Sequence, residues 1–438
     1  MNKFTFSMLA ITMSFIFTPP LHANDPFAEL DYEIEQLTAD DSAEFEQWYV
    51  EHLKEFNQWQ MAYLQQWDEE QASSLQQWGD ANTASQEVVV VYNQQHDART
   101  VIDLEKGEIT INYTAQQAVQ NTPPSEEQAQ IVNQVIAENK QLWQDIGIDA
   151  PNEAQPQVVY VEPIAVENKT LQQVESEIRS QTQRQMSQLD IYADQNLTVV
   201  SEAKREQIVA EQKQVMKANE IKRIQTAQNT VRTQNIAYHD QPRSKVEYKV
   251  AIPPSSLSKR ATNYLPQIRK ESAKRKLSPA LVLAIMHTES HFNPKAKSHV
   301  PAYGLMQIVP TTAGHDVNKL YRGHDAPMRA NDLYNPNINI ETGTEYLKIL
   351  HGRYLKGIKD PDSANYSVIA AYNTGSGNVA KAFGERRVSA AVAKINTMTS
   401  EQVYYHLINN LPYEETRNYL KKVNDRMQTY QDHTDTSI

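Results

Sequence analysis

From Ser125 to Ala237 the chain is dominated by Gln, Glu, Lys and Ala at helical spacing, and Gln and Glu prevail from Thr170 to Thr233. Such a composition supports long polar helices with narrow apolar stripes, acting as a coiled segment or a helical spacer. Pro151 to Pro163 interrupts it, with an extended Val158-Val159-Tyr160-Val161 inside the interruption. Helix-breaking residues from Tyr238 to Pro254 then mark a linker. This block divides the 438 residues, which are too many for one ordinary core, into two or three domains.

Upstream, Ser42 to Asp80 is strongly helical, and the pattern [Phe/Leu]-x-Gln-Trp recurs as Phe45/Trp48, Phe56/Trp59, Leu64/Trp67 and Leu75/Trp78. Spacings of 11, 8 and 11 residues keep the 11-spaced pairs on one helix face. The stripe is a packing seam against the next domain or a second helix, or else a sugar-stacking surface. Val88-Val89-Val90-Val91-Tyr92, Thr100-Val101-Ile102-Asp103-Leu104 and Ile109-Thr110-Ile111-Asn112-Tyr113 read as three strands. The turn at Glu105-Lys106-Gly107-Glu108 makes the last two a hairpin, so a small meander against the Trp-bearing helix is expected.

With 40% hydrophobic residues, 22% charged and only 12 Gly, the whole chain leans helical. It has no cysteine, which excludes disulfides, thiolate zinc sites, cysteine nucleophiles and lipid attachment through a cysteine. Lys3, the mostly apolar run Phe4 to Phe17 and Leu21-His22-Ala23 read as an export signal cleaved near Ala23. Its core, as a helix, spans about 21 Å against the roughly 30 Å of a hydrocarbon layer, which disfavours a retained anchor. No later segment is apolar enough to span a membrane, so a periplasmic mature protein is expected. From Val246 onward 25 Lys+Arg stand against 17 Asp+Glu, a balance of +8, while the first 245 residues balance at −20. A mildly basic C-terminal domain suits an anionic polymer, and export argues against nucleic acid.

The chemistry gathers in that C-terminal part. Ser278-Pro279 starts an apolar helix that runs into His287-Thr288-Glu289-Ser290-His291-Phe292-Asn293-Pro294. Asn293-Pro294 ends it, because the residue before a proline leaves the α region. Glu289 then sits in the last turn, near the negative helix end and beside apolar surface, and both influences favour the neutral acid. Gly304-Leu305-Met306-Gln307 reads as a tight turn leading into a short apolar helix, and Ala371-Tyr372-Asn373-Thr374-Gly375 as a cleft-facing Tyr-Asn pair among small residues. Glu415-Thr416-Arg417 leads into a helix expected to begin near Asn418. His287 and His291, four apart, hint at a metal, but the zinc-protease pattern has its Glu directly after the first His. No metal and no cofactor are expected.

Singly these motifs are weak; in this order they form a set. Glu289-Ser290-x-Phe292-Asn293-Pro294, Ser298, Gly304-Leu305-Met306-Gln307, Ala371-Tyr372-Asn373 and Glu415-Thr416-Arg417 together resemble the lytic murein transglycosylases of the goose-type lysozyme superfamily. Supporting segments are Thr312 to Val317, Asn339 to Leu347 and Ile395 to Thr399; the β patch resembles that family's N-terminal domain more loosely. The resemblance implies an α+β, mostly helical fold: a C-terminal lysozyme-like α domain (246–438) behind a signal peptide (1–23), a helix-plus-small-sheet domain (24–118) and long polar helices (119–245). It implies cleavage of peptidoglycan glycan strands with Glu289 as acid and then base, no water entering, and 1,6-anhydro ends. Ser298, Gly304, Met306, Gln307, Tyr346, Tyr372, Asn373 and Glu415 would bind substrate. No second carboxylate stands near Glu289 in the sequence, unlike the two-carboxylate pattern of most glycosidases. Lipid anchoring found in the family does not carry over without a cysteine. A hydrolytic muramidase and a non-catalytic wall-binding scaffold are the other readings, and the acidic N-terminal half leaves room for cell-wall protein partners.

Overall fold

The computed structural model describes residues 39–93, 97–115, 126–151, 159–195, 201–241 and 243–435; the expected export signal lies outside them. The fold is mostly helical with one small antiparallel sheet, as expected. Three long helices, α1 (Ala39–Trp78), α4 (Asn168–Gln195) and α5 (Glu202–Asp240), form a bundle. Contacts Asp190–Lys213 and Glu175–Gln228 run in opposite senses, so α4 and α5 are antiparallel, while Asn57–Gln212 and Asp68–Arg223 set α1 parallel to α5.

The bundle core is narrow, as the composition demands. One apolar cluster joins Tyr49, Leu53, Phe56, Met186, Leu189, Ile208 and Met216, and another joins Leu75, Val174, Ile178 and Val231. Between them buried polar side chains pair with each other: Asn57 donates to Gln212 at 2.9 Å, and Arg223 grips Asp68 through two hydrogen bonds of 2.7 Å. Burying charge is tolerated only when it is so paired.

The sheet has five strands in the order β1-β2-β3-β5-β4: β1 (Val88–Tyr92), β2 (Ala98–Asp103), β3 (Glu108–Ala115), β4 (Val159–Pro163) and β5 (Ser244–Ala251). The meander of three is therefore correct but incomplete. Residues read as a linker are instead the end of α5 and all of β5, which pairs with β3 across eight positions. The alternation Val246, Tyr248, Val250 is the strand signal, and it was masked by interleaved charges. Those charges have partners: cross-strand neighbours Arg99, Asn112 and Glu247 are hydrogen-bonded in a row, with Arg99 also on Ser74 and stacked over Trp78. Asp80 joins Arg99 and Lys245, and its carboxyl is held below its usual range by those cations despite burial. The opposite, apolar face carries Ile109, Ile111 and Tyr248 and packs on α2 (Glu126–Glu138) and α3 (Lys140–Ile146).

The C-terminal domain comprises α6 (Ser255–Arg275), α7 (Pro279–Ser290), α8 (Ala313–Tyr321), α9 (Pro336–Ile349), α10 (Pro361–Thr374), α11 (Ser376–Ala382), α12 (Val388–Ile395), α13 (Ser400–Asn410) and α14 (Glu414–Asp435). Helix α7 is apolar on every side, with Ala280 to Met286 all buried, so it occupies the centre of this domain. Helix α14 packs along it. That helix starts at Glu414, not near Asn418, because Glu414 and Glu415 suit the positive end of a helix.

The tryptophan stripe is a seam at Trp67 and Trp78. Trp67 and Trp78 are buried, Trp67 meeting His299 edge-on at 4.2 Å and lying under the Lys297 ammonium at 4.9 Å. Tyr63 donates to the Ser298 carbonyl at 2.8 Å, so α1 is bolted to the loop after α7. Trp59 is partly exposed, and the Trp48 side chain is outside the described set.

Candidate active site

Helix α7 ends early. His291 and Phe292 both take left-handed backbone angles (φ 49° and 63°), so the chain turns before Asn293-Pro294. Ser290 steadies that turn by donating to the Leu305 carbonyl at 2.7 Å. Glu289, one residue inside the helix end, is left pointing into a cleft while only 9% exposed.

Opposite it, Gly304-Leu305-Met306-Gln307 forms the expected tight turn, but no helix follows it directly; α8 begins later, at Ala313. Asn339 on α9 clamps this turn: its amide donates to the Tyr303 and Leu333 carbonyls (2.7 and 2.8 Å) and its oxygen accepts from the Met306 N–H at 2.7 Å. Gly304 has φ +74°, and a Cβ there would stand 2.2 Å from the Leu333 carbonyl oxygen. Only glycine fits both demands.

Most of the expected residues converge. Glu289, Ser298, Gln307, Tyr346, Tyr372, Asn373 and Glu415 line one cleft. Tyr372 donates to the Met306 carbonyl at 2.7 Å, and its ring lies 5.6 Å from that of Tyr346. Asn373 accepts from Thr416 at 2.7 Å. Gln307 donates to the Ala296 and Gly304 carbonyls, which leaves its Oε1 without a hydrogen bond. Two expected residues are not on the lining. Gly304 is filled round by Leu333 and Asn339, and the Met306 side chain is fully buried against Gly343, where an added Cβ would meet its sulfur at 2.3 Å. Both shape the cleft through the backbone.

The expected raised acid is present. Burial, first, pushes the Glu289 carboxyl from 4.5 up to about 8, and the neighbouring Glu415 and Glu87 carboxylates add to it. The Tyr419 hydroxyl, donating to Glu289 Oε1 at 2.6 Å, and the Arg184 guanidinium pull the other way. The Tyr419 phenol is itself pushed well above its usual value by burial and by Glu289, so it stays a donor. Near neutral pH the carboxyl is mostly protonated.

Two features escaped the sequence, and Glu415, expected only as a substrate-binding residue, has a further consequence. Tyr419 sits four residues after Glu415, so a helix begun at Glu414 would have put both on one face. Arg184, Ser187 and Gln188 reach the cleft from α4, in the block read as a spacer. Glu415, in turn, brings a second carboxylate to the lining, although none stands near Glu289 along the chain; it is half-exposed, with Oε2 3.2 Å from Arg184 Nε.

His287 and His291 meet edge-on at 5.0 Å; His287 Nδ1 lies 3.0 Å from the Tyr430 hydroxyl, and its ring stacks on Phe292. Burial, then Arg426, lowers both imidazole pKa values, so both rings are neutral. Their surroundings are those of a packed aromatic cluster. Among the described residues no group of three His, Asp or Glu is placed to hold a metal ion.

Comparison with known families supplies the deciding observation: residues 266–394 match the family described as Transglycosylase SLT domain. This stretch is thus similar to an SLT domain. That domain holds Glu289, Ser298, Gln307, Tyr346, Tyr372 and Asn373, whereas Glu415 and Tyr419 follow it and Arg184 precedes it. The chain is 46% identical over 187 residues to membrane-bound lytic murein transglycosylase C of Serratia proteamaculans, covering 42% of this chain and 52% of that one. With the same enzyme of Pectobacterium atrosepticum it shares 45% over 181 residues, 41% and 50% of the two chains. It thus spans about half the length of the curated relatives it matches. The 70-kDa soluble lytic transglycosylase of Escherichia coli aligns at 20% identity with a TM-score of 0.32, over 70% of this chain and 49% of that one.

Proposed function

We propose that this protein is a lytic transglycosylase that cleaves the β-1,4 bond between N-acetylmuramic acid and N-acetylglucosamine in peptidoglycan and leaves 1,6-anhydro ends. The observation that carries this reading is the buried Glu289, protonated near neutral pH and aimed into a polar cleft. A neutral carboxylic acid can donate its proton to the bridging oxygen as the bond to C1 breaks. The sugar then bears oxocarbenium-like charge, which its own 2-acetamido oxygen can share. The carboxylate left behind takes the proton of the C6 hydroxyl, whose oxygen bonds to C1 and closes the anhydro ring. Proton and bonds balance without water, and Glu289 ends as it began.

Tyr419 is a positioning residue: its hydroxyl holds one carboxyl oxygen and steadies the anion formed midway. Gln307 Oε1 is poised to accept from a sugar hydroxyl or amide, Ser298 and Asn373 offer further polar contacts, and Tyr346 and Tyr372 form an aromatic wall. Export to the envelope, with murein strands as the partner, completes the proposal and fits relatives named as membrane-bound murein enzymes.

Glu415 gives the hydrolytic reading its structural support, since a second carboxylate in the cleft could serve a water. Product mass separates the two: hydrolysed muropeptides are one water heavier than anhydro ones. Purified murein digested by the full chain should yield anhydro products, and Glu289→Gln should yield none. Water-added products would favour the muramidase, and near-native turnover by Glu289→Gln would remove Glu289 from the chemistry.

A further inference from the structure

Helix α4 has two occupied faces. One buries Gln185, Met186 and Leu189 in the three-helix bundle; the other turns Arg184, Ser187 and Gln188 to the cleft. The spacing i, i+3, i+4 makes those three a continuous strip. Its far end is tied down, because Asp190 accepts from the Tyr413 hydroxyl at 2.8 Å and pairs with Lys213 at 2.6 Å. A wall of the cleft therefore comes from outside the SLT domain, on a rigid element.

Arg184 is the one cation among the described residues lining that cleft. Its Nε–H is buried and lacks a hydrogen bond, although Glu415 Oε2 stands 3.2 Å away: an ion pair without donor alignment. Glu415 is half-exposed, so water replaces its pairing at little cost when it moves aside. A guanidinium whose Nε–H has no acceptor is suited to a planar carboxylate that can meet it squarely. On a murein strand the sugars are neutral once the lactyl group is amide-linked, so the anions available are the carboxylates of the stem peptide.

Resting on the proposed function, we infer that Arg184 recognises a stem-peptide carboxylate, exchanging it for Glu415 when the glycan strand enters the cleft. The long polar hairpin is then a specificity element of the enzyme as well as a spacer. An inactive background separates this from turnover. In the full chain carrying Glu289→Gln, binding is measured for a stem-free glycan oligomer, the same oligomer with stem peptides, and that oligomer with its stem carboxyls amidated.

Free carboxylates should be preferred to amides, and Arg184→Ala should reduce that preference about tenfold, with Arg184→Lys recovering part of it. An unchanged preference in Arg184→Ala, or equal weakening of all three probes, would overturn the assignment. Binding of no probe by the Glu289→Gln chain would remove the glycan reading along with it. A Glu289→Gln chain that binds all three probes equally would overturn the Arg184 assignment and leave the proposed function standing.

Discussion

Glu289→Gln separates the electrostatics of the cleft from its chemistry. Glutamine has the shape of the protonated acid, and its carbonyl oxygen can still accept from Tyr419. In the native chain the carboxyl rises from its ordinary 4.5 to about 8, chiefly through burial. The folded state therefore holds a proton that the unfolded state releases. Its contribution to stability is complete below about pH 4.5 and declines as pH rises, until it is lost above about pH 8. Each unit of difference is worth about 1.4 kcal/mol, so by about pH 7 the native chain has lost about 3 kcal/mol, and beyond about pH 8 about 5 kcal/mol. Glutamine does not titrate. The variant should thus match the native chain near pH 4 and exceed its unfolding free energy by about 3 kcal/mol near pH 7. Urea titrations of both proteins across this range give the difference directly, since the remaining titrating groups are common to both. A difference that did not vary with pH, or a variant less stable than the native chain near neutrality, would refute the burial argument.

The two remaining predictions concern residues around that acid. Tyr419→Phe removes a hydrogen bond that lowers the Glu289 pKa, so the alkaline limb of the pH–rate profile should move to higher pH. Losing about 1 kcal/mol of support for the carboxylate should cut turnover roughly fivefold; an alkaline limb shifted downward would contradict the assignment. Gly304→Ala forces a Cβ to within 2.2 Å of the Leu333 carbonyl oxygen at a left-handed position, and should destabilise the fold by about 3 kcal/mol or more. A native melting temperature in that variant would show that the Asn339 clamp is looser than its hydrogen bonds indicate.

Residues whose role follows from local chemistry were legible in the sequence. Glu289 in the last turn of an apolar helix could be placed because Ser278-Pro279 and Asn293-Pro294 bracket that helix. The Tyr-Asn pair and Gln307 were legible because small or turn-forming residues surround them. Met306 shows the limit: the same turn that aims Gln307 at the cleft sends Met306 into the core, and alternation about a turn cannot be settled without the elements packed on it. Strand β5 was missed because helix-breaking residues and the interleaved Lys245, Glu247 and Lys249 hid its alternation; Lys245 is buried against Asp80, just after α1, and Glu247 against Asn112 of β3.

Periodicity, caps and composition thus decide what each segment is: long narrow-striped helices, an all-apolar central helix, and an acid at its end. They are local rules, acting over one or two turns. Which segments share a cleft depends on contacts between residues far apart in the chain. Tyr419 reaches Glu289 across 130 positions, and Tyr63 reaches Ser298 across 235. Arg184 looks like any other charge on a polar helix until the bundle lays that helix beside Glu415. Burial, which lifts Glu289 to about 8, is likewise created by the folded neighbours and is not a property of its own segment.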